Sequence, residues 1–266
     1  NSSGSNINDA DEELNGVKIC NANYSQFNPL VRNDGFGGAI IIWGDQRHEG
    51  SYSMNVQRLL SSGITLADDE TESFFGIATD AASESYEHGI VYLNNNEALV
   101  YWQDDRFGKT KIYGTKINSA YDGTSDYFSN EYINGDSLTS LSFAQKNPKA
   151  ILAGNNIFLS FKVEEYPNEN LYFQLMDLNL NTIGNATDLS DPNTTKHGFE
   201  MVKGNDGYIY YAYSEDTYIA IQKLGSDGDN IWTQQVVESD ADDIIQAVYS
   251  HPESGCVIIY ESKSWQ

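Results

Sequence analysis

Apolar and polar residues alternate along this chain in short runs. "GGAIIIWGDQRHEGSYSMNVQRL" (37–59) is an apolar run ending at Trp43, a polar turn and a second alternating run, and "ALVYWQDDRFGKTKIYGTKI" (98–117) does the same around Trp102. Runs of this length, rich in Tyr, Ile and Val and bounded by Gly, Asn and Asp, read as strands joined by tight turns rather than as helices.

Set in register, the two segments superpose Trp43-x-Asp45-x-Arg47 on Trp102-x-Asp104-x-Arg106, 59 residues apart. The spacing continues downstream. Phe161 takes the Trp place after another 59 residues, Tyr213 after 52 and Tyr260 after 47. Each corner is preceded by a further strand and a Gly or Asn turn ("NPLVRNDGFGG", "HGIVYLNNNEA", "NPKAILAGNN", "GFEMVKGNDG", "IIQAVYSHPESG"), and before that by a fourth apolar segment ("GVKICNA", "FFGIATDA", "SLTSLSFA", a stretch around "TIGNATDL", "WTQQVVES"). A four-stranded unit cannot bury both of its faces alone, and radial packing of such units makes a β-propeller. The expectation is an all-β chain: a propeller of about five four-stranded blades, incomplete or part of a larger array. A β-sandwich also has strands at this spacing, but it does not predict the recurring corner.

The corresponding organisation is an acidic, Ser- and Asn-rich extension over 1–16 and a single domain over 17–266, with repeats near 17–76, 77–137, 138–185, 186–234 and 235–266. The first unit opens with a fourth-type strand, and the last stops after its second. An N-terminal strand completing the final blade accounts for both. That arrangement brings Cys20 and Cys256 into one blade, where a disulfide is expected; two unrelated thiols are the alternative.

In such a unit the Trp43 and Trp102 rings fill the space between splayed sheets, the Asp accepts turn N–H groups, and the Arg two residues on pairs with it or with the next hairpin. The corner then specifies the fold. Later repeats replace it with Phe161-x-Val163-x-Glu165 and Tyr213-x-Glu215-x-Thr217, which argues against a ligand site built on these side chains.

The run "NGVKICNANYSQFNPLVRNDGFGGAIIIWGDQRHEGSYSMNVQRLLSSG" resembles the Trp-x-Asp-x-Arg repeats of secreted bacterial and archaeal β-propeller proteins, and "IQKLGSDGDNIWTQQVV" resembles their connection from third to fourth strand. The resemblance spans nearly the whole chain, specific in the first two units and degenerate in the last three. It implies exported, cell-surface or matrix proteins with binding or scaffolding roles and no shared chemistry.

Charge narrows the partners. A formal net charge of −24 and a pI near 4.2 exclude nucleic acid and anionic membranes, since phosphate contacts need a basic surface. No run approaches the length of a membrane span. The chain opens without Met or a leader-like segment, as expected of a mature or excised chain. Sequons at Asn1, Asn23, Asn185 and Asn193 fit an extracellular glycoprotein.

Enzyme signatures are thin. "FGKT" (107–110) lacks the first glycine of a phosphate loop, whose place is held by Gln103, and "GFGG" (35–38) belongs to a hairpin. His48, His88, His197 and His251 stand singly, without metal-ligand spacing. "SDGDNIW" (226–232) is out of step with a sialidase Asp-box, and two of the four arginines, Arg47 and Arg106, are committed to corners. No cofactor is called for except calcium, for which "SDGDN" (226–230, with Asp227 and Asp229), "NDG" (205–207) and "DADD" (240–243) gather oxygen ligands in turns. The expected function is a non-catalytic extracellular binding or structural module. Its partners are protein or glycan at the cell surface, or other copies of itself; exposed Trp232 and Trp265 are candidate contacts. The alternative is a propeller glycoside hydrolase acting on an extracellular glycan through paired carboxylates.

Overall fold

The computed structural model describes residues 19–20, 23, 25–46, 53–65, 76–78, 87–94, 96–120, 135–165, 168–189, 194, 196–216, 218–238 and 243–262. They form eighteen strands and no helix. The chain divides into two compact units, Asn1–Ser137 and Leu138–Gln266.

The first unit holds two sheets. β1 (Gln26–Asn33), β2 (Ala39–Asp45), β3 (Ser53–Leu59) and β4 (Gly76–Ala78) pair antiparallel in chain order, as do β5 (His88–Tyr92), β6 (Glu97–Asp104), β7 (Lys111–Asn118) and β8 (Asp136–Ser137). The second unit repeats the meander in β9 (Gln145–Ala153), β10 (Asn156–Glu165), β11 (Asn168–Met176) and β12 (Thr182–Asp188), then in β13 (Lys196–Lys203), β14 (Ile209–Glu215), β15 (Tyr218–Leu224) and β16 (Asn230–Glu238). A fifth sheet has two strands, β17 (Ile244–Ser250) and β18 (Cys256–Glu261).

Turn chemistry fixes the hairpins. Between β1 and β2, Asp34 Oδ1 accepts the Phe36 and Gly38 N–H groups at 2.8 and 2.9 Å. Its Oδ2 takes the Arg58 guanidinium at 2.7–2.8 Å, which ties β3 to the same turn. Gly35 and Gly37, at φ +83° and +84°, supply the left-handed backbone that this turn needs.

The core lies between facing sheets. In the first unit Ile40, Ile42, Met54 and Val56 pack against Ile90, Ala98, Val100, Trp102, Tyr113 and Ile117. In the second, Phe158, Leu171 and Phe173 meet Phe199, Ile209 and Tyr211, and Ala212 and Ile219 meet Ile245 and Val248. Each fully buried aliphatic side chain contributes about 1.5–3 kcal/mol. Inner position falls to the first strand of each sheet: β1 lies beside β5, and β13 lies beside both β9 and β17.

Two expectations need adjustment. "SLTSLSFA" contributes only its first residue to a strand, because Thr139 turns in and bonds Gln145, whose amide also donates to Leu141 O at 3.1 Å, so the segment anchors the start of β9 instead. Cys20 and Cys256 are both thiols in the structure, one in each unit, with no disulfide formed. Ile19 and Cys20 are not in a strand, and the rest of the expected N-terminal strand lies outside the described residues.

Candidate active site

The corners are built much as their residue types dictate. Trp43 Nε1 donates to Asp45 Oδ2 at 3.0 Å and Trp102 Nε1 to Asp104 Oδ2 at 2.8 Å. Asp104 also receives Arg106 as a bidentate partner, with Nε at 2.8 Å, and that guanidinium lies 3.9 Å from the Tyr113 ring centre. Asp45 and Asp104 are fully buried. These carboxylates are consumed by the fold; Arg47 lies outside the described residues. In the fourth blade Tyr213 cannot donate as an indole does, and Glu215, in the Asp place, takes a different partner. Lys196 Nζ stands 3.3 Å from its Oε1, and Thr194 Oγ1 donates to its Oε2 at 2.9 Å.

Opposite Trp43 and Phe161 the inner strand breaks its register, and β13 and β17 break theirs within two residues of Tyr213 and Tyr260. In β1 the break falls at Asn28-Pro29, in β9 at Asn147-Pro148, in β13 at His197 and in β17 at Gln246. Asn28 and Asn147 both adopt positive φ, +50° and +52°. Proline offers no N–H to the ladder, and the bulge that results re-aims neighbouring side chains. β5 keeps its register, with His88 opposite Trp102.

Between β1 and β5 this irregularity opens a pocket of about 460 Å³ lined by Asn28, Pro29, Leu30, Glu87 and His88. His88 Nε2 lies 2.7 Å from Asn28 O. A carbonyl only accepts, so Nε2 carries the proton, and in the neutral ring Nδ1 is a bare acceptor, buried and without a partner. Burial pushes the His88 pKa below its ordinary value, against the opposing pull of the Asn28 bond. Glu87 is exposed at the pocket, and its backbone carbonyl is fixed by Gln103 N–H at 2.9 Å. A carboxyl group beside a neutral imidazole, on a backbone pinned to the corner strand, can exchange protons with a bound hydroxyl or glycosidic oxygen.

The second unit has its own charged cluster at the same ends of its strands. Lys162 Nζ donates to Lys196 O at 2.8 Å and pairs with Glu169 at 3.1 Å. Glu165 accepts Tyr172 OH at 3.2 Å and Asn170 Nδ2 at 3.1 Å. Burial, then the charges of Asp188 and Glu165, push Tyr172 up to about 12.

The remaining predicted positions do not gather. Asp227 and Asp229 are exposed in the β15–β16 turn, where Asp229 N–H donates to Asp227 Oδ1 at 3.3 Å, and Asp206 of "NDG" is paired with Lys223. Among the described residues no group of three or more His, Cys, Asp or Glu is placed to hold a metal ion. Asn23 and Asn185 are exposed; Asn1, Asn193, His48 and Trp265 lie outside the described residues. Reading the histidines singly missed the pocket. The signal was positional: Asn-Pro at 28 and 147, and His-Gly at 88 and 197, recur at one place in successive repeats.

No protein-family model matches the chain, and no curated protein matches it. Solved structures do. The endo-arabinase of Bacteroides thetaiotaomicron aligns over 90% of this chain and 89% of its own at 13% identity, with a TM-score of 0.50. The α-L-arabinanase of Penicillium chrysogenum, in complex with arabinobiose, aligns over 93% and 78% at 11% identity, with a TM-score of 0.55. A variant α-L-arabinofuranosidase of Fusarium graminearum, bound to an iminosugar inhibitor, aligns over 85% and 67% at 12% identity, with a TM-score of 0.50.

The chain has the five-bladed β-propeller fold. The same comparisons correct the functional expectation. The non-catalytic binding or structural module does not stand, because the folds that match are those of glycan-cleaving propellers and favour the hydrolase alternative. Among the described residues no helix is long and apolar enough to cross a membrane.

Proposed function

We propose that this propeller is a glycoside hydrolase that cleaves an extracellular, neutral glycan, with Glu87 as one of the two carboxyl groups the reaction needs. The observation that carries the reading is Glu87 itself: an exposed carboxylate at a pocket between two inner strands, in a fold similar to those of arabinan-cleaving enzymes. Glycosidic cleavage needs one carboxyl to protonate the leaving oxygen and another to act as base or nucleophile. His88, kept neutral by burial, adds no positive charge beside Glu87. The acidic surface suits a neutral substrate over a polyanion.

The test is hydrolysis of debranched arabinan and of aryl α-L-arabinofuranosides, followed as reducing ends and released phenol, alongside other aryl glycosides. Activity that falls about a hundredfold or more in Glu87→Gln, with an unchanged unfolding midpoint, supports the assignment. Absence of turnover across the panel, or full activity in Glu87→Gln, overturns it.

A further inference from the structure

Among the described residues, the face that the fourth blade shows the fifth is covered only along its inner half. β17 and β18 pack on Ala212 and Ile219, and the fifth sheet has no third or fourth strand among the described residues. Beyond that cover a row crosses three strands: Tyr210 on β14, Lys223 opposite it on β15, and Trp232 opposite Lys223 on β16. Tyr208, just ahead of β14, has the Lys223 ammonium 4.1 Å from its ring centre, and Trp232 meets Tyr210 edge-on at 6.3 Å. Trp232 and Tyr208 are each 38% exposed.

The surroundings hold this row rigid. Asp206 Oδ2 takes Lys223 Nζ at 2.9 Å and Tyr210 OH at 2.6 Å, and Tyr210 OH in turn accepts the Gly255 N–H at 3.1 Å. Asn205 Nδ2 bonds the carbonyls of His251 and Pro252 at 3.2 and 3.0 Å, fastening the β17–β18 turn to the same rim.

We infer that Trp232 and Tyr208 form a second carbohydrate-binding surface, remote in sequence from Glu87, which holds a neutral polysaccharide chain on the fourth blade. Sugar rings offer a C–H face that packs on an aromatic ring, and their hydroxyls need donors and acceptors at its margin. Asp206, Lys223 and Asn205 supply both kinds there. Because Asp206 and Lys223 neutralise one another, the platform carries no local charge to select an ion, while the whole chain at −24 repels polyanions. An apolar protein partner fits less well: Gln234, the next residue of β16 on that face, is polar and exposed. The class of ligand rests on the glycan reading proposed above.

The experiment is native electrophoresis of the intact chain through gels cast with debranched arabinan, arabinogalactan, or polygalacturonate as the anionic control. It scores binding without turnover, so its outcome is separable from the hydrolysis assay. Retardation by a neutral polysaccharide is expected, weakened about tenfold in apparent Kd in Trp232→Ala and in Tyr208→Ala, with hydrolysis of small aryl glycosides unchanged. Equal retardation of wild type and both variants, retardation by polygalacturonate alone, or none by any of the three polymers would overturn the assignment.

Discussion

Trp102 and Asp104 lie two residues apart on β6 and point to one side of the strand, so that the indole Nε1 donates directly to the carboxylate at 2.8 Å. Both are fully buried, and Arg106 closes the group from the turn. Removing the carboxylate strands a buried indole N–H and a guanidinium together. Asp104→Ala is expected to cost about 2–4 kcal/mol, measured as a shift in urea midpoint at constant slope; a loss below about 0.5 kcal/mol would show the corner to be ornamental.

Gly89 is predicted to tolerate no side chain. A Cβ there would stand 2.2 Å from the Tyr101 Cζ and hydroxyl oxygen, and the ring has little room to retreat because Tyr101 is buried. Gly89→Ala should destabilise by about 1–3 kcal/mol and, by displacing β5, lower the hydrolysis proposed for the Glu87 pocket. Wild-type stability in that variant would contradict the packing described.

The buried pair Lys196 and Glu215 should behave asymmetrically. Glu215→Gln removes the charge that neutralises a buried ammonium, at an expected cost of about 3–5 kcal/mol. The double change Lys196→Met with Glu215→Leu should recover most of that. Unfolding midpoints of Lys196→Met, Glu215→Leu and the double variant form the cycle; additive costs would rule out the coupling.

Stability should depend on His88 in a defined direction. Burial lowers its folded-state pKa below the unfolded value of 6.5, so the unfolded chain binds the proton more readily. The His88 contribution is whole above pH 6.5 and is lost as pH falls through the folded pKa. Urea midpoints from pH 7.5 to 5 should fall less steeply in His88→Gln than in wild type. Identical slopes would mean that His88 titrates normally.

Much of the fold is legible in the sequence because a blade is a local object. Its strands are consecutive, its turns carry their own Asp and Gly chemistry, and the Trp, Phe or Tyr at the corner marks the register, so the first three strands of each full sheet follow from alternation alone. The fourth strands are harder to see. Asp136–Ser137 is too short to alternate, and Thr182–Asp188 is mostly exposed and has no apolar side to display. The site was harder still: Glu87 and Asn28 are ordinary residues until a bulge in β1 and a regular β5 place them at one pocket. The corner carboxylates attract attention by their spacing, yet the indoles and Arg106 occupy them.

The two-stranded fifth sheet also bears on how the molecule behaves in bulk. Among the described residues β18 ends its sheet, with Val257, Ile259 and Tyr260 exposed, and a strand edge of this kind invites stacking against any similar edge. What holds molecules apart is their shared negative charge, and that repulsion reaches only about 8 Å at physiological ionic strength and about 3 Å at 1 M salt. Colloidal stability is therefore tied to dilution of the electrolyte: the chain disperses best in weak buffer, and rising salt first brings its exposed edges within reach of one another.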